Sequence, residues 1–247
     1  MSNNKDYLKK IELDEKQSHD YYLKSVNKTE HQKFLEKYLK SYTILKFNNR
    51  IADIACGYGT LTFHLAKKYP GSEFTLLDLN EKAINGAKNL LRDTKNIAYH
   101  VGDMLKTPFP SDHFGIVFCW HTLSWTKYPE QLLAELIRIT HKGGSVFISS
   151  LFNFDHDVDI YSQVYDRTRN SSALRLDSSY NTYSIESIDE WISDRCSDYE
   201  LIPMPIEIDL EKINRGLGTY TIKTIDNKRL QISGGSLMSW GLLVINK

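Results

Sequence analysis

The sequence predicts an α/β protein whose mostly parallel sheet is covered by helices on both faces. Between residues 50 and 149, nearly continuous apolar strands alternate with amphipathic helical stretches, which is typical of a doubly wound parallel sheet. The glycine-containing loop DIACGYGT (53–60) links the first of these strands to the helix that follows it. A length of 247 residues suits one domain with additions, and 41% apolar with 25% charged residues is ordinary for a globular chain.

The elements follow in order along the chain. Residues 1–48 contain no Gly or Pro and predict two helices, the second beginning after Thr29 as N-cap. The predicted strands are 50–55, 73–78, 97–101, 114–120 and 145–149, and the helices between them are 60–69, 80–92 and 129–140. Pro129 suits the first turn of the last helix, and Gly143-Gly144 is expected to close it.

The second half of the chain departs from this alternation. A polar, aromatic, Arg-containing stretch at 151–183 is predicted to be an insertion after the fifth strand, and such long excursions are usually functional. A helix over 184–195 should start at Ser184 with a capping box. A strand at 200–210, a hairpin at 219–234 with Asp226-Asn227 at its turn, and a last strand complete a seven-stranded sheet with an antiparallel C-terminal hairpin.

Composition argues against several functional classes. Lys+Arg and Asp+Glu are equal at 31 each, so no general field attracts nucleic acid or anionic lipid. No apolar run approaches the roughly 20 residues that span a bilayer, and the polar N-terminus is not that of a signal peptide. Cys56, Cys119 and Cys196 lack metal-ligand spacing and predict buried thiols in a reducing cytoplasm. We expect a cytoplasmic monomer or homodimer without metal, nucleic-acid or membrane partners.

The glycine loop predicts a bound nucleoside. Gly57 and Gly59 lack a Cβ, so a ligand can lie against the backbone where the first strand ends. A dinucleotide fingerprint needs a third glycine at position 62, which is Thr, and the carboxylate of Asp53 would repel a bare anion. A cofactor with a cationic end suits the loop better than a pyrophosphate does.

Two further acids follow the next two strands. Asp78 ends the second strand about 20 residues beyond the loop, where a carboxylate accepts both ribose hydroxyls. Asp103 follows the third strand and is placed to accept from an exocyclic adenine amine. Leu79 and Met104 flank these acids and are suited to sandwich a flat base. The pattern describes a nucleoside that carries an amino-acid tail.

At this point the chain resembles the class I S-adenosylmethionine-dependent methyltransferases. DIACGYGT, TLLDLN, VGDM, FGIVFCWHTL and ITHKGGSVFIS occur in family order from about 50 to 150, and Ala55 stands where the family usually has Gly. The resemblance implies a helical lid at 1–48, a Rossmann-like methyltransferase domain at 49–247, and S-adenosylmethionine as cofactor with S-adenosylhomocysteine as product. The cofactor contacts it implies are Tyr21, Asp53, Ala55, Cys56, Gly57, Gly59, Asp78, Leu79, Gly102, Asp103, Met104 and Trp120.

The transfer reaction needs a nucleophile held in line with the methyl group, and a base only if the nucleophile arrives protonated. His121 follows the fourth strand and is the candidate general base, because its intrinsic pKa is near neutral. The alternative is that it merely caps the strand or holds the methionine tail. Trp125 either walls the acceptor pocket or belongs to the core. Tyr22 either binds the acceptor or packs the lid onto the sheet, and Tyr21 either contacts the cofactor or packs in the same way.

The 151–183 insertion is expected to hold the acceptor. Its candidates are Tyr165, Arg167, Arg169 and Arg175, since guanidinium groups bind carboxylate or phosphate well and would favour an anionic small molecule. The alternative is that these arginines pair with the aspartates nearby. The expected activity is methyl transfer to O or N of a small metabolite.

Simpler structural roles and rival functions remain open at this point. The glycines could be turn formers, Asp78 a helix cap, Asp103 a loop acid and Met104 a core residue. The rival functions are methylation of RNA or protein, a nicotinamide-dependent oxidoreductase, and a cofactor-binding protein without catalysis. The Asn/Asp-Pro-Pro-aromatic run of base-amino methyltransferases is missing, since the corresponding place reads CWHT.

Overall fold

The computed structural model describes residues 26–42, 50–164, 178–212 and 219–247. The helices are α1 (Glu30–Leu39), α2 (Thr60–Lys68), α3 (Glu81–Leu90), α4 (Pro129–Ile139) and α5 (Ile185–Ile192), with a 3₁₀ turn at Leu123–Trp125. The strands are β1 (Arg50–Ile54), β2 (Glu73–Asp78), β3 (Ile97–Val101), β4 (Phe114–Trp120), β5 (Thr140–Asn153), β6 (Gln163–Val164), β7 (Ser178–Ser179), β8 (Tyr183–Ser184), β9 (Asp198–Pro203), β10 (Thr219–Lys223), β11 (Arg229–Ser233), β12 (Ser236–Leu237) and β13 (Trp240–Asn246).

The main sheet confirms the predicted fold class. Its seven principal strands run in the order β3-β2-β1-β4-β5-β13-β9, and the short β8 pairs with the end of β5. Pairings among β1 to β5 are parallel, whereas β13 is antiparallel to both β5 and β9. The strand order reverses beside β1, so the carboxyl ends of β1 and β4 border the crevice in which open α/β sheets bind ligands.

Helices cover the sheet on both faces, with one cluster of buried residues on each. On β4, Ile116 and Phe118 belong to the first cluster and Val117 and Cys119 to the second, which is the alternation expected of a strand buried on both sides. The first cluster also receives side chains from α1, α2 and α3, and the second from α4 and α5.

Helix α1 confirms the prediction for its segment. Thr29 caps it, and the Gln32 side chain completes the capping box. Leu35 and Leu39 are buried against the first face of the sheet, so α1 is part of the packed structure rather than a separate arm. The first of the two predicted N-terminal helices lies outside the described residues.

The glycines after α4 do not close the helix as predicted. Helix α4 ends at Ile139, and β5 begins at Thr140, so Gly143 and Gly144 lie inside the strand. The pairing of β4 with β5 is irregular there, because Phe114 pairs with Thr140 but Ile116 pairs with Ser145. A Cβ on Gly144 would lie 2.6 Å from the carbonyl oxygen of Gly115, so a close backbone approach explains this glycine.

The insertion begins later than predicted, because β5 continues to Asn153. Its described part returns to the core at Tyr183, whose fully buried hydroxyl donates to the carbonyl oxygen of Thr126. Ser184 caps α5, but residue 187 is Ser, so the reciprocal half of the predicted capping box is absent. Asp159 from the insertion replaces it by accepting from the backbone N–H of Ser184 at 2.7 Å.

The C-terminal part follows the prediction with one shortening. The strand predicted at 200–210 is β9, which ends at Pro203. Strands β10, β11 and β12 form a small antiparallel sheet apart from the main one, with Asn227 at positive φ in the predicted turn. Among the helices of the described ranges, none combines the length and apolar character needed to cross a bilayer.

Candidate active site

The loop after β1 has an unusual backbone. Three of its residues, Ala55, Gly57 and Gly59, have φ of 58°, 53° and 71°, the left-handed region that favours glycine. The N–H of Cys56 donates to the carbonyl oxygen of Leu77 at 3.0 Å, which ties the loop to β2. The loop is therefore a fixed turn between β1 and α2, and Ala55 adopts its strained conformation without a glycine's freedom.

The two glycines of the loop have different surroundings. A Cβ on Gly59 would meet side chains of Leu76, Ala87 and Leu91, each at 3.1 Å, so this glycine permits close packing of α2, α3 and β2. A Cβ on Gly57 would meet no atom within 4 Å. The open backbone that a ligand requires is thus found at Gly57, whereas Gly59 is required by the fold.

Asp53 is a buried carboxylate with one unsatisfied oxygen. It is 1% exposed; its Oδ2 accepts from the hydroxyl of Thr62 at 2.7 Å, and its Oδ1 is buried without a partner among the described residues. Burial raises the pKa of Asp53 to about 7; the nearby charge of Asp78 also raises it, and the Thr62 bond opposes both. An unpaired buried acceptor is costly, and a cationic group would satisfy it.

Asp78 lies beside the loop with its carboxylate anchored. Its Oδ2 accepts from the N–H of Gly57 at 2.8 Å, and its Oδ1 from the N–H of Asn80 at 2.9 Å. The N-cap of α3 is Asn80, so the alternative role of Asp78 as that cap is wrong. Burial raises the pKa of Asp78. A carboxylate has about four acceptor positions, so Asp78 retains capacity to accept from a ribose hydroxyl.

The residues after β3 and β2 complete this edge of the sheet. Asp103 accepts from the N–H of Leu105 at 2.9 Å, and Gly102 donates its N–H to the carbonyl oxygen of Asp78 at 3.0 Å. Met104 is half-buried and packs against the second core cluster, and Leu79 is also half-buried. All four therefore lie along one edge with the glycine loop, as a single elongated ligand would need.

His121 follows β4 in a strained conformation. Its φ is 56°, and its backbone N–H donates to both the carbonyl oxygen and the hydroxyl of Ser149, at 3.1 and 2.9 Å. Burial lowers the pKa of His121 well below its ordinary value, and the nearby His31 lowers it further. The near-neutral intrinsic value of histidine therefore does not apply to this ring in the folded protein, and its role as general base stays a prediction. His121 is a neutral imidazole at pH 7.

Aromatic side chains surround His121. The ring of Trp120 is stacked at a centroid distance of 5.3 Å, and Trp240 from β13 lies at 4.6 Å. The Nε1 atoms of both tryptophans are buried without a partner in the part of the chain that the structure describes. Trp125 does not belong to the core. It is 39% exposed, and its ring contacts that of Tyr180 at 4.6 Å.

Several predicted site residues lie outside the described ranges. These are Tyr21, Tyr22, Tyr165, Arg167, Arg169 and Arg175. Their roles at the cofactor and the acceptor stay predictions.

Three residues of the site were missed at the sequence level. Thr62 counted only as a missing glycine, yet its hydroxyl holds Asp53. His31 contacts His121 from 90 positions away, and no local pattern joins the two. Trp240 was treated only as part of a final strand. A polar residue in the first turn after the loop is a signal that could have identified Thr62; the other two depend on tertiary contacts.

Comparisons with known proteins agree with this geometry. A family model described as a methyltransferase domain matches residues 52–148. An uncharacterized methyltransferase of Schizosaccharomyces pombe is 34% identical over 110 residues, which are 41% of this chain and 40% of that protein. The ubiquinone/menaquinone biosynthesis C-methyltransferase UbiE of Ectopseudomonas mendocina is 30% identical over 122 residues, covering 46% and 48% of the two chains.

A solved structure resembles nearly the whole chain. The 1,6-didemethyltoxoflavin-N1-methyltransferase of Burkholderia thailandensis superposes with a TM-score of 0.61 over 99% of this chain and 88% of that one. At 10% identity this likeness concerns the fold alone. The chain spans less than half of the length of the two curated relatives above.

Proposed function

Because residues 52–148 match the family model of a methyltransferase domain, we propose that the protein is a class I S-adenosylmethionine-dependent methyltransferase that acts on a small molecule. The observation that carries the proposal is the anchored carboxylate of Asp78 beside the open backbone of Gly57. A nucleoside with vicinal hydroxyls and a flat face matches this pair. The domain arrangement that we propose is a helical lid at 1–48 on a methyltransferase domain at 49–247.

The residues of the site fit S-adenosylmethionine. The unsatisfied Oδ1 of Asp53 suits the ammonium of its amino-acid end, and the remaining acceptor capacity of Asp78 suits its ribose. A pyrophosphate-containing dinucleotide fits less well, because a buried carboxylate at this point repels anionic oxygens. This argues against a nicotinamide-dependent oxidoreductase.

When bound, S-adenosylmethionine supplies an electrophilic methyl group on a sulfonium. The remaining work is positioning and exclusion of water, since a displacement of this kind depends on an in-line approach. We propose that Trp120 and His121, at the carboxyl end of β4, line the place where the acceptor meets the methyl group. A neutral His121 is able to accept a proton from an O–H or N–H acceptor only as a weak base, because burial holds its pKa well below the ordinary value. Helix α1, packed through Leu35 and Leu39, covers this end of the first face.

The proposed acceptor is a small molecule with an oxygen or nitrogen nucleophile. The equal numbers of acidic and basic residues speak against RNA, whose binding needs a basic surface. The arginines of the insertion support an anionic acceptor at the level of sequence only. A carbon nucleophile is the second candidate, and it is supported by the similarity to a ubiquinone/menaquinone biosynthesis C-methyltransferase.

Calorimetry with S-adenosylhomocysteine tests the cofactor assignment. We expect saturable binding by the purified protein, and an Asp78→Asn variant should bind roughly 10- to 100-fold more weakly, because hydrogen bonds to a charged acceptor contribute about 1.5–3 kcal/mol. S-adenosylhomocysteine should raise the unfolding temperature of the protein, whereas nicotinamide dinucleotides should not. The absence of heat with both S-adenosylmethionine and S-adenosylhomocysteine would refute the proposal.

The acceptor class is identified by isotope transfer. The protein is incubated with S-adenosylmethionine carrying a ¹³C-labelled methyl group and with panels of small phenols, carboxylic acids, amines and quinols. The ¹³C shift of the product distinguishes a methyl group on oxygen, nitrogen or carbon. Label recovered only in RNA or protein would contradict the small-molecule assignment.

A further inference from the structure

His31 and His121 form a partly buried hydrogen-bonded pair that links α1 to the end of β4. The Nδ1 atom of His31 lies 2.8 Å from Nε2 of His121, and the ring planes are nearly perpendicular at 78°. Both rings also pack on Trp240, with centroid distances of 4.9 and 4.6 Å. The pair is therefore held between a helix and two strands of the main sheet.

The backbone on each side of the contact is fixed. The N–H of His121 donates to Ser149, and the backbone φ of His121 is 56°, so the direction of its Cα–Cβ bond is fixed. Leu35, one turn after His31, is 1% exposed in the core. With both backbones fixed, the hydrogen bond between the rings restricts the rotation of the His121 imidazole.

The contact needs two neutral rings or one proton shared between them. Burial lowers the pKa of His31 to about 4, against a smaller opposing effect of Glu30, and the pKa of His121 is also low. One ring then donates an N–H and the other accepts it, since a neutral imidazole has one donor and one acceptor nitrogen. The strands around the pair present Trp120, Ser149 and Trp240, which do not titrate near neutrality.

We propose that His31 is a positioning residue of the methyl-transfer reaction, which it serves by holding the His121 ring in one orientation at the acceptor end of β4. This inference rests on the proposed function. This role connects helix α1 to the chemistry, because α1 supplies His31, the hydrogen-bond partner of His121, in addition to covering the sheet. The docked helix and the correctly oriented imidazole then occur together.

Two substitutions at position 31 separate positioning from packing. His31→Phe keeps a ring of similar size against Trp240 but cannot hydrogen-bond to His121. His31→Asn loses the ring, but its amide places a polar atom near the position of Nδ1. The matched control is His113→Phe, because His113 is a half-buried histidine that directly precedes β4 and so lies at the other end of that strand from His121.

The first readout is spectroscopic and does not require turnover. In ¹⁵N-histidine-labelled protein without added ligand, we expect a scalar coupling across the hydrogen bond between the two facing nitrogens. It should vanish in His31→Phe and persist in His113→Phe. If the wild-type protein shows no coupled pair, the inference is wrong.

The second readout is the rate of transfer to the acceptor identified above. We expect His31→Phe to lower kcat roughly five- to tenfold, the effect of one lost hydrogen bond, with KM for S-adenosylmethionine nearly unchanged. His31→Asn should retain most of the rate. The reverse order, a normal Phe variant and an impaired Asn variant, would assign His31 to packing and overturn the inference. A protein that shows the coupled pair but binds no cofactor would instead refute the proposed function.

Discussion

Replacing Asp53 by Asn should change how the stability of the ligand-free protein depends on pH. The folded-state pKa of Asp53 is about 7, against an ordinary value of 3.8, because the carboxyl is buried. The folded protein therefore holds this proton more tightly than the unfolded chain does. Its contribution to stability is complete below about pH 4 and is lost as the pH rises through 7. Asparagine keeps an acceptor for Thr62 and cannot ionise.

The magnitude follows from the size of the shift. Each pKa unit corresponds to about 1.4 kcal/mol, so wild type should lose up to about 4 kcal/mol relative to Asp53→Asn between pH 4 and pH 8. Denaturant unfolding at intervals of one pH unit measures this difference directly. The change of this stability difference with pH is more informative than the difference at one pH, because the unpaired amide N–H of Asn adds a pH-independent cost of about 1–3 kcal/mol.

The same ionisation should affect cofactor binding in the opposite direction, so that affinity increases with pH while stability decreases. An ammonium is attracted to ionised Asp53, so wild type should bind S-adenosylhomocysteine about tenfold more tightly at pH 8 than at pH 6, and Asp53→Asn should bind with little dependence on pH over this range. The exposed Asp93, changed to Asn, is the control for a carboxylate outside the site.

Parallel stability curves for wild type and Asp53→Asn would refute the assignment of a buried, proton-binding carboxyl.

The remaining predictions concern the loop around this carboxyl. Gly57→Ala and Gly59→Ala impose the same left-handed strain, of about 1 kcal/mol, but only Gly59→Ala meets core side chains at 3.1 Å. Denaturation should therefore show the larger loss of stability in Gly59→Ala. Calorimetry should show that Gly57→Ala loses more cofactor affinity relative to the stability it loses. Equal effects of the two substitutions would contradict their separate roles. Ala55→Gly should raise the free energy of unfolding by less than about 1 kcal/mol, as relief of strain exceeds the added unfolded-state entropy, and a loss would count against a strained Ala55. Thr62→Val should cost about 1–3 kcal/mol by denaturation and extend the pH dependence attributed to Asp53 to higher pH, because the Thr62 bond lowers the pKa of that carboxyl. An unchanged stability would contradict their hydrogen bond.

Much of the fold was predictable because its signals are local. The strands β2 and β4 begin and end where their apolar runs do, since buried parallel strands need continuous apolar sequence. The start of α1 at Thr29 follows from capping chemistry within four residues. The prediction for the glycines after α4 was wrong because Gly144 is required by the close approach of the Gly115 backbone on a neighbouring strand. The sequence around Gly144 does not contain that contact.

The candidate site divides in the same way. Asp53, Asp78 and Gly57 could be identified from the sequence, because each occupies a set position relative to a strand end and parallel strands bring those ends to one edge. The sequence by itself therefore determined the fold class, the glycine loop and the acids that face it. Only the tertiary structure decided that Gly59 serves packing, that Asp53 is buried with a raised pKa, and that His31 contacts His121. Those properties arise from burial and from contacts between distant segments, and neither exists until the chain has folded.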